Sequence, residues 1–171
     1  LKMFLIMRYG FIIRVYSRSF AVPCFFLKEM QMPDHIKNKL SPHFPDIDLD
    51  KIRIHEGIPW HVKKIAAIKP AGYASGNNIY FHPDFYEPNS AKGIAAIAHE
   101  ITHCRQYKQN GRLRFLLKYL REYVANRRTG MSKTQAYLNI SFEIAAREKE
   151  AEIFDKLKEE PEGPNPWQIF P

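Results

Sequence analysis

Gly93-Ile94-Ala95-Ala96-Ile97-Ala98-His99-Glu100-Ile101-Thr102-His103-Cys104-Arg105-Gln106 is the stretch from which the fold can be read. The segment Ala91–Gln109 around it has no proline, and its only glycine is Gly93, near the start. Ile94, Ile97, Ile101 and Cys104 recur three and four apart, the spacing of one helix face. His99 and His103 are four apart on the opposite side, so their imidazoles lie one above the other. Glu100 follows His99 by one residue, about 100° further round the helix. The pattern is HExxH. Two imidazoles at this spacing can hold one metal ion, and the carboxylate then stands beside the metal, where it can take a proton from a bound water. The segment therefore predicts a central helix with packing behind and a cleft in front. Gln106, three residues after His103, shares the histidine face and is placed to hold a ligand imidazole from outside.

Moving outward, Ser90 is a suitable N-cap for this helix, and Asn110-Gly111 a suitable end. Before it, Met32-Pro33-Asp34-His35 opens a short helix to about Leu40, closed by Ser41–Pro45. Lys51–His55 alternates with period two and reads as a strand. Pro59–Lys64 reads as a short helix and Ile65–Ile68 as a short apolar strand. Gly72-Tyr73-Ala74 and Asn78-Ile79-Tyr80-Phe81 flank Ser75-Gly76-Asn77, which has hairpin chemistry. A small, mostly antiparallel sheet thus precedes the motif helix. Its candidate edge, open to pairing with an extended peptide substrate, is Asn78, Ile79, Tyr80 and Phe81, with an ordinary closing strand as the alternative. After the motif helix, Leu113–Val124 reads as an amphipathic helix with Leu113, Leu116, Leu117, Leu120 and Val124 on one side. Ser132 caps a short helix to about Leu138, and a last helix runs from about Phe142 to Lys158.

With 171 residues the chain has room for one domain with appendages. Residues 30–158 carry the domain pattern. Leu1–Glu29 lies outside it: Met3–Leu27 is apolar, but Arg8, Arg14 and Arg18 interrupt it, which argues against a membrane-spanning helix. No clear cleavage site marks it as a secretory signal, and contact with a membrane surface is the reading that suits a basic apolar segment. Residues 159–171 are proline-rich and read as an extended tail. The net charge is +8, concentrated at Arg8–Arg18, Lys63–Lys69 and Arg105–Arg128. No nucleic-acid-binding signature accompanies this charge, so a solvated helix face is expected for Arg105–Arg128 and nucleic acid is not the expected partner. The two cysteines, Cys24 and Cys104, form no CxxC, and Cys104 falls on the apolar back of the motif helix as a buried thiol. The expected compartment is the cytoplasm, with secretion or membrane association as the alternatives.

A catalytic zinc takes a third protein ligand and keeps a position for water. The HExxHxxGxxH pattern is absent, because positions 106 and 109 are both Gln. Glu143 is the leading candidate, since it opens the last helix in Glu143-Ile144-Ala145-Ala146-Arg147, where small residues permit close helix approach. Glu150 and His82 are its rivals. Arg147 and Glu150 share the Glu143 face of that helix. Tyr137, just upstream, is a candidate for stabilising an oxyanion, with a core role as the alternative.

Three stretches together, Gly72–Phe81, Gly93–Gln106 and Ala136-Tyr137-Leu138-Asn139-Ile140-Ser141-Phe142-Glu143, resemble the HExxH family called the eCIS core domain over about Met32 to Lys158. That family is associated with extracellular contractile injection systems and with free-standing small bacterial proteins. The resemblance implies a minimal gluzincin-like fold, with His99, His103 and Glu143 as ligands of one zinc ion and Glu100 as the base. Ala145 departs from the pattern, where Glu would be expected, and its absence removes a competing carboxylate. The expectation is an α+β zincin-like domain, a small sheet followed by a helical half, that binds one Zn2+ per chain and hydrolyses peptide bonds of a peptide or protein substrate. The alternative is a zinc-stabilised interaction module without turnover, attached to a larger protein assembly.

Overall fold

The computed structural model describes residues 29–60, 62 and 71–159, and the short strand pair β1 (Ile6–Met7) and β2 (Phe11–Ile12). The reading of Ile65–Ile68 as a strand and of residues 160–171 as an extended tail falls outside the described residues.

Four strands form the main sheet: β3 (Glu29–Gln31), β4 (Arg53–Glu56), β5 (Gly72–Ser75) and β6 (Asn78–Phe81), in the order β3-β4-β6-β5. The β3–β4 and β5–β6 pairs are antiparallel and the β4–β6 pair is parallel, so the sheet is mixed. β5 and β6 join through a two-residue turn in which Ser75 faces Asn78. Gly76 at its first position has φ +64°, the positive value that a tight hairpin asks of its leading residue. Strand β3 was not anticipated. Its three residues abut the apolar and basic N-terminal stretch, which hides their period, and pairing with β4 extends them.

Asn78–Phe81 is not the sheet edge. β6 pairs with β5 on one side and with β4 on the other, at Arg53↔Asn78 through Glu56↔Phe81. A hairpin signal fixes which two strands are neighbours. It carries no information on which of them meets the rest of the sheet, and here a parallel pairing over a long loop decides that. Among the described residues, the edge on the hairpin side is β5.

The α-helices whose bounds lie within the described residues are α1 (Asp34–Leu40), α2 (Ala91–Asn110), α3 (Arg112–Arg128), α4 (Lys133–Leu138) and α5 (Ser141–Glu159); Trp60 and Val62, in the expected Pro59–Lys64 helix, are helical too. The Ser90 side chain accepts from the Gly93 amide and so caps α2, while Gly111 ends it. Ser132 and Gln135 cap α4 reciprocally. Ile94, Ile97, Ile101 and Cys104 are all buried in the main core, between the sheet, α1 and the distal part of α5, where Ile153 joins them. One face of α2 is therefore fixed by apolar burial, at about 1.5–3 kcal/mol for each large side chain. The other face turns toward α5 and α3.

In α3 the only fully buried residue is Phe115. Phe115, Tyr119 and Tyr123, four apart, face inward on a second cluster with Tyr107, Ile140 and Phe142. The leucine side faces out: Leu113 is 63%, Leu116 49% and Leu117 54% exposed. No described helix is long and apolar enough to cross a membrane.

Candidate metal centre

Helix α2 delivers His99 and His103 to one side, and the first turn of α5 brings Glu143 against both. The ligand-capable atoms of these three residues lie within 4.8 Å of one another. His99 Nε2 is 3.5 Å from Glu143 Oε2, and His103 Nε2 is 3.4 Å from Glu143 Oε1. Two ligand atoms bonded about 2.1 Å from a tetrahedral zinc stand about 3.4 Å apart, so the spacing fits an ion held among the three.

The remaining ring nitrogens fix the tautomers. His99 Nδ1 lies 2.9 Å from Glu150 Oε2, an acceptor, so this nitrogen carries the proton. His103 Nδ1 lies 2.8 Å from Gln106 Oε1, and Gln106 Nε2 donates to the Phe142 carbonyl at 3.0 Å. The amide is thereby oriented with its oxygen toward His103, which donates. In the neutral imidazoles both Nε2 lone pairs then point at a carboxylate, an arrangement that needs a cation between them. Without a metal, protons serve. Burial opposes charging of His99, but the Glu143 and Glu150 carboxylates beside its two ring nitrogens outweigh it and push its pKa up to about 10. His103 is raised against its own burial, chiefly by Glu143. Glu143 is held far below the usual carboxylate range by both histidines, although burial opposes this. Its Oε2 has no hydrogen-bond partner among the described residues.

Each ligand candidate thus has an outer partner, the pattern that orients metal ligands. Glu143 has its own in Tyr119, whose hydroxyl donates to Oε1 at 2.8 Å. Tyr119 was missed in the sequence; the one signal for it was its place in the Phe115, Tyr119, Tyr123 row. Burial, and then the charge of the nearby Glu143, raise the Tyr137 pKa and keep its hydroxyl protonated. Arg147 donates from Nη2 to the Leu138 carbonyl, and its buried Nη1 has no partner among the described residues. Glu150, a rival for third ligand, sits instead on the far nitrogen of His99. His82, the other rival, caps the turn at Pro83–Phe85 beside Asp84, apart from the cluster.

Glu100 is only 6% exposed, and its Oε2 has no partner among the described residues. Burial raises its pKa, while the nearby His103 and His99 charges pull it down. Its Oε1 packs on strand β5 at Gly72, where a Cβ would lie 2.4 Å away. Gly72 has no positive φ, so the glycine is needed for space and not for backbone conformation.

Residues 31–111 match the family model of the eCIS core domain. The eCIS core match runs from the end of β3 through the HExxH helix. It stops at Gly111, shorter than the stretch to Lys158 expected from the sequence, so Glu143, Tyr119 and Glu150 lie beyond it. No curated protein and no solved structure matches the chain.

Proposed function

We propose that the protein is a zinc-dependent metallopeptidase of gluzincin type, with His99, His103 and Glu143 as the ligands. The observation that carries this reading is the conjunction at one point of three convergent ligand atoms, an outer partner on each, and an unpaired buried carboxylate on Glu100. Zinc bound there would lower the pKa of the attacking water and polarise the scissile carbonyl. Glu100 accepts the water proton on its free Oε2 and later delivers it to the leaving amine. Burial raises the basicity of that carboxylate. Glu150 and Gln106 hold the imidazoles, and Tyr119 holds Glu143. Arg147 and Tyr137, next to Glu143, are the groups available to an anion or oxyanion of the substrate.

The second reading is a metal-stabilised module that docks on a protein assembly such as a contractile injection system. The eCIS core match supports it. Glu100→Gln separates the two, because it keeps shape and metal ligands and removes the base. Under the peptidase reading the variant binds zinc as the wild type does and loses hydrolysis of a broad peptide library by about 10²–10⁴-fold. Equal, chelator-insensitive background in both proteins refutes the peptidase reading and leaves the module.

A further inference from the structure

Helix α3 has two apolar rows, and the fold uses only one. The aromatic row Phe115, Tyr119 and Tyr123 faces the metal side. The other row, Leu113, Leu117, Leu120 and Val124, has spacings of four, three and four, the alternation of a coiled-coil seam. Its first two members are more than half exposed and its last two half-buried. Arg114 and Arg121 each stand one position after a seam leucine, and Arg128 continues their seven-residue row past the end of the seam, where Arg127 takes the next seam position; this is the flanking row that sets partner charge in coiled coils. None of the three has an ion-pair partner among the described residues, and the one acidic residue of α3, Glu122, is turned away onto the Ser141 amide and hydroxyl. An exposed apolar seam marks a contact surface, and the arginines along its border make it complementary to an acidic one.

We infer that the outer face of α3 is a docking seam for an amphipathic helix of another protein, with apolar seam residues and Asp or Glu along its flank. Other parts of this chain suit the face less well. Residues 1–28 hold five cations, Lys2, Arg8, Arg14, Arg18 and Lys28, and no acid, so they share its charge. Residues 160–171 carry only two Glu and have four prolines, a composition unsuited to an acidic amphipathic seam. A second copy brings another +8. A nucleic acid has no use for the leucines. The inference is independent of whether the metal centre turns over.

The test uses the full chain and two synthetic three-heptad peptides with Leu at both seam positions, one with Glu at all flanking positions and one with Lys. Neither peptide pairs with itself, because its flanks repel. The acidic peptide is expected to bind at least tenfold more tightly than the Lys peptide in low salt, to gain helicity on binding, and to lose most of the difference in 0.5 M salt. The triple substitution Arg114→Glu, Arg121→Glu, Arg128→Glu should reverse the preference. Leu117→Asp should abolish binding of both peptides with metal content unchanged, which shows that the fold persists. Equal binding of the two peptides, or no reversal, overturns the proposal. So does a wild-type dimer in sedimentation that Leu117→Asp dissociates, or binding to phosphatidylserine vesicles with none to the acidic peptide. Binding that appears only after removal of residues 160–171 also overturns it, in favour of the tail.

Discussion

Gly72→Ala puts a single methyl group against the carboxylate of Glu100. The added Cβ would lie 2.4 Å from Oε1, 2.9 Å from Cδ and 3.1 Å from Cγ, against 3.4 Å for the closest ordinary contact. Oε1 must therefore retreat by about 1 Å. The three nearest atoms all belong to Glu100, and the backbone φ at Gly72 is not in the positive range that would resist alanine. The overpacking cost of about 1–3 kcal/mol should fall at its lower end, because the atom that yields is the tip of a side chain, and alanine recovers about 0.5–1 kcal/mol of strand stability over glycine. Stability should thus change little, and the three ligand residues stay where they are. Catalysis is less tolerant: a 1 Å misplacement of a reacting group costs about 10²-fold, or about 2.7 kcal/mol in the barrier. The expected result is near-normal melting and zinc content with peptide hydrolysis reduced about a hundredfold. In the double variant with Glu100→Gln the second change should cost nothing more, because both act through one carboxylate. Wild-type turnover in Gly72→Ala, or a full further loss in the double variant, would refute the placement of Glu100 as base.

Tyr119→Phe removes one hydroxyl from Glu143 and should weaken zinc affinity about 10–100-fold in a competitive chelator titration, with a stability loss of about 1 kcal/mol. Unchanged affinity would show that the Tyr119 hydrogen bond does not orient the ligand. Burial raises the pKa of the Cys104 thiol far above its usual value, so peptide mapping after brief alkylation should find Cys104 unmodified in the native protein and modified only in denaturant. Rapid native labelling at Cys104 would contradict its packing behind the motif helix.

What could be read in the sequence was what short-range chemistry fixes. The HExxH helix announces its own bounds, because Ser90 and Gly111 act within a turn of its ends, and its apolar stripe lies along one continuous segment. The same is true of the β5–β6 hairpin. Glu143 was reachable because it opens a helix in a recognisable pattern, though what sits around it was not. Long-range pairing was hidden. The parallel register of β4 on β6 moved the sheet edge from Asn78–Phe81 to β5, and pairing with β4 made a strand of Glu29–Gln31. Helix α3 offers two apolar rows, and counting carbon favours the leucines. The aromatic row wins the inward position because Phe115 stacks on Phe142 and packs at a tilt against Tyr107 while Tyr119 reaches Glu143.

The central claim is that His99, His103 and Glu143 hold one zinc ion, and elemental analysis of the purified full chain and its variants tests it most directly. The account predicts about one equivalent of zinc in the wild type, loss in His99→Ala and His103→Ala, and clear weakening in Glu143→Ala. Full occupancy in both histidine variants, or a wild type that takes up no metal, would contradict it.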